Sequence, residues 1–229
     1  MTTDRVLAII GIVIGIPAFL TLFLNAQWTQ GTLVLMFVLA VIGYQAYIFH
    51  RDRQPMFTIL TILKEVTIHD VEGKTAICKR FQEMRTNRKG VTEFWFRNLA
   101  QDGSISNILI DGRLPDEQIV SAGTTQVCRK FNRELEKGEK LPMDLTYTLT
   151  DSFTARKESI VHVAALKANK VTLVAILPKP CISTELYVTY SGQQSKLLIA
   201  PAISTDRRRL ESTIKKPRLG THYHLEWTW

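Results

Sequence analysis

Two long apolar runs at the start of the chain constrain its fold more than any other feature. Residues 6–24 read VLAIIGIVIGIPAFLTLFL and residues 32–49 read TLVLMFVLAVIGYQAYIF, and neither run contains a charged residue. As a helix with a rise of 1.5 Å per residue, each run is roughly 27–29 Å long, which matches the hydrocarbon core of a bilayer. The sequence therefore predicts an N-terminal hairpin of two transmembrane helices.

The placement of charges predicts the orientation of this hairpin. The connecting residues 25–31 are uncharged, whereas Arg5 precedes the first run and Arg51 and Arg53 follow the second. Because basic residues flank the cytosolic ends of membrane helices, we expect a multi-pass protein of the inner (cell) membrane with both termini in the cytosol. Trp28, Arg51 and Arg53 would then lie at the membrane interfaces. A cleaved signal peptide is the alternative for the first run, although the usual apolar segment has only ~7–15 residues.

A glycine pair in the first apolar run predicts helix packing. Gly11 and Gly15 form a G-x-x-x-G motif, the spacing that lets two membrane helices approach closely. We expect packing either within the hairpin or between copies, with a homo-oligomer as the result. Neither run contains Asp, Glu, Lys or Arg, which argues against a transporter.

The rest of the chain has the pattern of a β-rich domain. Short runs of β-branched and aromatic residues alternate with turn signals such as Asp102-Gly103, and period-two alternation is plainest in residues 222–229, HYHLEWTW. This pattern permits a β-barrel or a β-sandwich of about ten strands. The predicted organisation is a membrane anchor over 1–53, a juxtamembrane segment over 54–63, and a cytosolic β-rich domain over 64–229. The juxtamembrane segment fits an interfacial stretch or a first strand equally well.

The net charge indicates the chemistry of a partner. The chain has 29 Lys and Arg against 21 Asp and Glu, and almost all of the +8 excess lies beyond residue 50. Such an excess favours a partner that carries phosphate. Six basic residues are clustered in one stretch, and arginine forks suit phosphate oxygens, although a solvated loop is the alternative. The candidate ligand- or lipid-phosphate-binding residues are Arg207, Arg208, Arg209, Lys215, Lys216 and Arg218.

The sequence contains none of the common catalytic motifs. It has no phosphate-binding G-x-x-x-x-G-K-[ST], no G-x-S-x-G and no H-E-x-x-H. We therefore predict no catalytic residues, no metal site, no cofactor and no enzyme. His222 and His224 share a predicted strand face but have no third ligand nearby. The three widely spaced cysteines are expected to be buried thiols, namely Cys78, Cys128 and Cys181.

Two N-terminal spans followed by a basic β-rich domain without a catalytic motif resemble the two-transmembrane, β-rich effectors associated with bacterial CD-NTases. The resemblance implies a β-barrel that binds a cyclic oligonucleotide, and a homo-oligomer that perturbs the membrane in anti-phage defence. The implied partners are membrane lipids and a cyclic oligonucleotide, and no DNA is expected. The alternative function is a membrane-tethered scaffold whose β domain binds a partner protein.

Overall fold

One helix followed by fourteen strands makes up the part of the chain that the structure describes. The computed structural model describes residues 28–53, 55–100, 103–121, 123–190, 193–196 and 200–229. The chain divides between Gln54 and Pro55, with helix α1 (Trp28–Arg53) before the division and every described strand after it. The strands are β1 (Phe57–Ile68), β2 (Thr75–Thr86), β3 (Val91–Ala100), β4 (Ser104–Ile110), β5 (Glu117–Ser121), β6 (Thr124–Leu135), β7 (Lys140–Thr150), β8 (Lys157–Val163), β9 (Ala168–Ile176), β10 (Ser183–Tyr190), β11 (Gln193–Lys196), β12 (Ala202–Ile203), β13 (Arg209–Lys215) and β14 (His222–Thr228).

The prediction of a two-helix transmembrane hairpin is wrong. No helix within the described ranges is both long and apolar enough to cross a membrane. The inner-membrane location with cytosolic termini and the antiviral membrane role that depended on this hairpin are corrected with it.

The structure describes only some of the residues that were predicted to belong to the membrane anchor. The first apolar run, residues 6–24, lies outside the described residues together with Gly11 and Gly15. Trp28 is the first residue of α1, and Arg51 and Arg53 lie at the end of this helix.

A seven-stranded sheet forms the largest layer of the β-rich unit. Its strand order is β12-β13-β9-β1-β2-β7-β4, and all neighbours are antiparallel except β1 and β9, which are parallel. The predicted juxtamembrane segment, residues 54–63, contributes mainly to β1, because Phe57, Ile59 and Ile62 are buried in the core. The first-strand alternative for this segment is therefore the observed one.

The β1–β2 connection shows how the sequence determines a turn. The Asp70 carboxylate accepts hydrogen bonds from the backbone N–H groups of Glu72, Lys74 and Thr75 at 2.7–3.1 Å. Gly73 has a φ of +73°, and a Cβ at this position would lie 1.6 Å from the carbonyl oxygen of Phe153. Only glycine fits a backbone that approaches another so closely.

Two smaller sheets complete the unit. Their strand orders are β11-β10-β14-β8 and β3-β6-β5. The mainly β character is as predicted, but one barrel or sandwich of about ten strands is wrong, since the described strands form three separate sheets. Period-two alternation gives the side on which each strand is buried, but it does not give the division of strands among sheets.

One continuous hydrophobic core contains residues of all three sheets. The largest sheet contributes residues such as Leu145 and Leu173, which are completely buried, the second contributes Leu225 and Trp227, and the third contributes Phe96. Full burial of one such aliphatic or aromatic side chain stabilises a fold by about 1.5–3 kcal/mol. The sheets are thus held together through side chains, and any polar group in this layer is costly unless it has a partner.

Candidate anion-binding site

Two cationic side chains lie directly opposite each other in the centre of the largest sheet. Lys64 of β1 and Arg80 of β2 are register partners. Because side chains alternate along a strand, both occupy the face that carries the buried residues Val66 and Cys78. Like charges at directly opposed positions destabilise a sheet. The pair therefore needs compensation by a negative group.

Protein groups satisfy this pair only partly. The Lys64 ammonium donates a hydrogen bond to the carbonyl oxygen of Val161 at 2.8 Å. The Arg80 guanidinium carbon lies 5.4 Å from the centroid of the Phe96 ring, but Arg80 Nε is buried and has no acceptor among the described residues. A buried N–H of a charged group without an acceptor is costly. This atom therefore lacks a hydrogen-bond acceptor, which an anion or a water molecule would supply.

No carboxylate of the described chain forms an ion pair with Lys64 or Arg80. Elsewhere cations have such partners, for example Lys130 with Glu117 at 2.5 Å. Burial lowers the pKa of Lys64 and of Arg80 from their ordinary values. Both residues are nevertheless only half-buried. Two cations without a carboxylate partner at half-buried positions are suited to a bound anion.

His162 of β8 extends the cationic pair to the second sheet. The imidazole is buried, and its pKa is lowered to about 3, first by burial and then by the positive charges of Arg80 and Lys64. His162 is therefore neutral at physiological pH and can donate one N–H. We call Lys64, Arg80 and His162 the cationic cluster. A bound anion would oppose the effect of both cations and raise the pKa of His162.

Neutral polar groups flank the cationic cluster on β2 and β7. The Cys78 thiol and the Tyr147 hydroxyl form a hydrogen bond, and burial raises the pKa of both groups, so both stay protonated. Gln82 is completely buried; its Nε2 donates to Met84 Sδ at 3.0 Å, while its Oε1 has no partner within the described part. Rotation of this amide by 180° would turn a donor toward the unpaired side. The surroundings thus offer donors and no competing negative charge.

The predicted basic run, residues 207–218, does not converge on one point. Arg209 pairs with Ile176 at one end of β13, and Lys215 pairs with Lys170 at the other end. Six steps along a strand are roughly 20 Å. A single phosphate group therefore cannot contact both residues.

Protein contacts occupy three of the six predicted phosphate-binding residues. Arg208, Lys215 and Lys216 are exposed. Whether any of the six binds phosphate stays a prediction. The occupied residues are Arg207, which donates from Nε to Cys181 O (2.9 Å) and from Nη2 to Ile182 O (2.6 Å), Arg209, which pairs with Glu211 (3.1 Å) and Glu65 (3.8 Å), and Arg218, which lies 4.0 Å from the Tyr190 ring centroid.

A concave region of the second sheet has the wrong charge for an anion. A pocket of about 330 Å³ lies on the second sheet, between β8, β10 and β14. Its lining includes two carboxylates, Glu185 and Glu226, and Lys157 pairs with Glu226 at 2.5 Å. His222 and His224 lie on β14, and the centroids of their rings are 6.4 Å apart. In the described ranges no group of three His, Cys, Asp or Glu side chains could hold a metal ion.

The sequence contains a signal for the cationic cluster that the density of basic residues does not reveal. Along β2 the inward positions are Ala76, Cys78, Arg80, Gln82 and Met84, so two long polar side chains interrupt a buried face. Lys64 is the first residue of the predicted β-rich domain, and β1 extends through it. A cation at an inward strand position is unusual because burial of an unpaired charge is costly.

Comparisons with known proteins assign no family. No family model matches the chain, and no curated protein matches it in sequence. Solved structures with a similar arrangement include an M1 zinc metallopeptidase from Deinococcus radiodurans (11% identity, TM-score 0.45, 75% of this chain and 42% of that one) and a nutrient-binding protein from Legionella pneumophila (8%, 0.49, 76% and 68%). Yeast LTA4 hydrolase is also similar (13%, 0.44, 75% and 29%). The chain spans less than half the length of the metallopeptidase, and TM-scores below 0.5 carry no argument about its function.

Proposed function

We propose that the β-rich unit is a binding module for a small phosphate-bearing ligand, which is held between the sheets by the cationic cluster. The observation that supports this proposal most is the direct opposition of Lys64 and Arg80 on a buried face without a carboxylate. Charge-assisted hydrogen bonds to phosphate oxygens would offset the repulsion between the two cations and give Arg80 Nε an acceptor. Cyclic oligonucleotides are one class of ligand with this chemistry.

The position of the cationic cluster supports a role as a sensor. Lys64 and Arg80 belong to the seven-stranded sheet, whereas His162 belongs to the second sheet. A ligand that contacts all three residues would connect the two sheets and stabilise their packing. Binding of this kind favours one arrangement of the sheets over others, which is how a ligand shifts a conformational equilibrium. We assign no catalytic step to these residues.

Thermal unfolding of the full chain tests the proposal. The midpoint is measured with inorganic phosphate, pyrophosphate and a panel of cyclic di- and oligonucleotides, each at constant ionic strength. A ligand at 100 times its dissociation constant stabilises the fold by about 2.7 kcal/mol, which raises the midpoint by several degrees for a chain of this size. Chloride at the same ionic strength is the control for screening.

Two matched arginine variants locate the site. Arg80→Met removes the buried guanidinium and keeps a long side chain, whereas Arg208→Met makes the same change in the exposed basic run. We expect the ligand-induced shift to disappear in the first variant and to persist in the second. Loss of the shift only in Arg208→Met would assign the ligand to residues 207–218 and contradict the cationic cluster. If no compound shifts the wild-type midpoint, the proposal is wrong for these ligands.

A further inference from the structure

The β5 strand is an exposed and regular edge of the third sheet. It pairs with β6 on one side and has no neighbour among the described residues on the other. All five residues of β5 are exposed. Ile119 is 49% exposed and Val120 is 71% exposed, and alternation places them on opposite faces of the sheet. Apolar residues thus accompany a row of free backbone groups on both faces of this edge.

Four other edge strands in the described part, β3, β4, β8 and β12, are protected against further pairing. β4 has a register shift between Ser106 and Leu109, and Asn107 has a φ of +52°. The pairing of β3 is interrupted twice, and β12 has only two residues. On β8 the carbonyl oxygen of Val161 already accepts a hydrogen bond from the Lys64 ammonium. Register shifts, charges and very short strands are the usual ways in which proteins prevent strand addition. The pairing of β5 has no register shift, and its one charged residue, Glu117, is neutralised by Lys130.

The charges of β5 fit a second copy of the same strand. Glu117 is the only charged residue of β5, and Lys130 of the same copy neutralises it at 2.5 Å. An antiparallel pair of β5 strands related by a two-fold axis at Ile119 uses all five residues. It places Glu117 opposite Ser121 of the second copy, and the two Ile119 side chains opposite each other, so no like charges meet.

We propose that the chain forms a symmetric dimer by antiparallel pairing of its two β5 strands, so that the third sheets of both copies join into one six-stranded sheet. This dimer does not depend on ligand binding at the cationic cluster. A strand of five residues is short, and interfaces smaller than ~1,200 Å² are typically weak. The dimer is therefore reversible and dissociates on dilution.

Cysteine cross-linking of the full chain tests the pairing and its register. Opposed Cα atoms in an antiparallel pair are ~4.5–5.5 Å apart, within the range of a disulfide. Ile119→Cys should form a covalent dimer under mild oxidation, and Val71→Cys should not, although Val71 is also apolar and 61% exposed. The native cysteines are buried and free, so they give little background. If the chain associates through any other surface, Ile119→Cys and Val71→Cys should cross-link to the same extent.

Sedimentation velocity with lysine variants tests the energetics. Ile119→Lys places two cations opposite each other at the two-fold axis, and we expect at least about tenfold weaker dimerisation than in Val71→Lys. The proposal is overturned if Ile119→Cys cross-links no faster than Val71→Cys, or if both lysine variants dimerise like the wild type. A chain that is monomeric at about 100 µM, a concentration at which even a weak dimer of this kind should form, also overturns it. A strand from a different protein is then the remaining occupant of this edge.

Discussion

The two groups of basic residues in the β-rich unit differ in their surroundings far more than in their composition. The run over residues 207–218 is conspicuous in the sequence, but its members are spread along β13 and its flanks, and three of them have protein partners. Lys64 and Arg80 are 16 positions apart in the sequence and meet through the register of β1 and β2. The comparison teaches that charges close together in sequence need not converge in the fold, whereas strand register can bring together charges that are distant in sequence.

The largest expected effect separates the two groups by affinity. Truncation of a buried charged contact costs about 2–5 kcal/mol of binding free energy, which corresponds to roughly 30-fold or more in Kd. We therefore expect Arg80→Met to weaken binding of the phosphate ligand by at least this factor, and Arg208→Met to change it less than about threefold. Isothermal titration of the full chain measures both values. Equal losses of affinity in Arg80→Met and Arg208→Met would contradict the assignment of the ligand to the cationic cluster.

The stability of the ligand-free variant sharpens the comparison further. Replacement of buried charges by apolar residues of similar size is neutral or stabilising by about 1–4 kcal/mol. We expect the free energy of unfolding of Arg80→Met, measured in urea without ligand, to equal or exceed that of the wild type. A large destabilisation would mean that Arg80 already has a strong partner in the free protein.

The pH dependence of stability tests whether burial, together with the two cations, lowers the pKa of His162. Its pKa is about 3 in the folded chain, and about 6.5 is usual in an unfolded one, so the unfolded state binds more protons between these values. The contribution of His162 to the free energy of unfolding is therefore fully present above pH 6.5 and is lost as the pH decreases toward 3. Between pH 8 and pH 5 we expect His162 to account for a loss of about 2 kcal/mol.

The control for this pH effect is His162→Phe, which leaves every carboxylate in place. Urea denaturation at pH 8 and pH 5 gives the free energy of unfolding of both proteins. The wild type should lose about 2 kcal/mol more than the variant, and saturating phosphate should reduce this difference because it raises the pKa of His162. If both proteins lose the same free energy of unfolding between pH 8 and pH 5, the pKa of His162 is not lowered in the folded chain.

A smaller effect separates members of the exposed run from one another. Arg207 donates two hydrogen bonds to backbone carbonyls, and hydrogen bonds to charged groups contribute about 1.5–3 kcal/mol each at most. We expect Arg207→Met to lower the free energy of unfolding by about 1–2 kcal/mol. Arg209 makes exposed ion pairs, so Arg209→Met should change it by less than about 1 kcal/mol. Thermal denaturation of both variants at neutral pH measures the order, and a reversed order would contradict the structural role of Arg207.

Local patterns in the sequence predict the strands and much of the core, but not the site. The alternation in HYHLEWTW correctly predicts that Tyr223, Leu225 and Trp227 are buried, since a period of two is a property of each strand alone. It also predicts that Glu226 is exposed, which is wrong, because Glu226 is buried. The opposition of Lys64 and Arg80 depends on register, and the approach of His162 depends on how two sheets pack. Neither follows from a single segment. The apolar content of residues 32–49 also misled, since no described helix is long and apolar enough to cross a membrane.

The parallel pairing of β1 with β9 has a consequence for synthesis of the chain. Ile59 pairs with Ala168, which lies 109 residues later. At ~5–20 residues per second, the ribosome needs roughly 5–20 s to supply this partner strand, and during that time one edge of β1 stays unpaired. Contacts of such long sequence separation also slow folding. The nascent β-rich unit is therefore vulnerable to aggregation in this interval, and its folding should depend on chaperones more than that of a sheet built only from neighbouring hairpins.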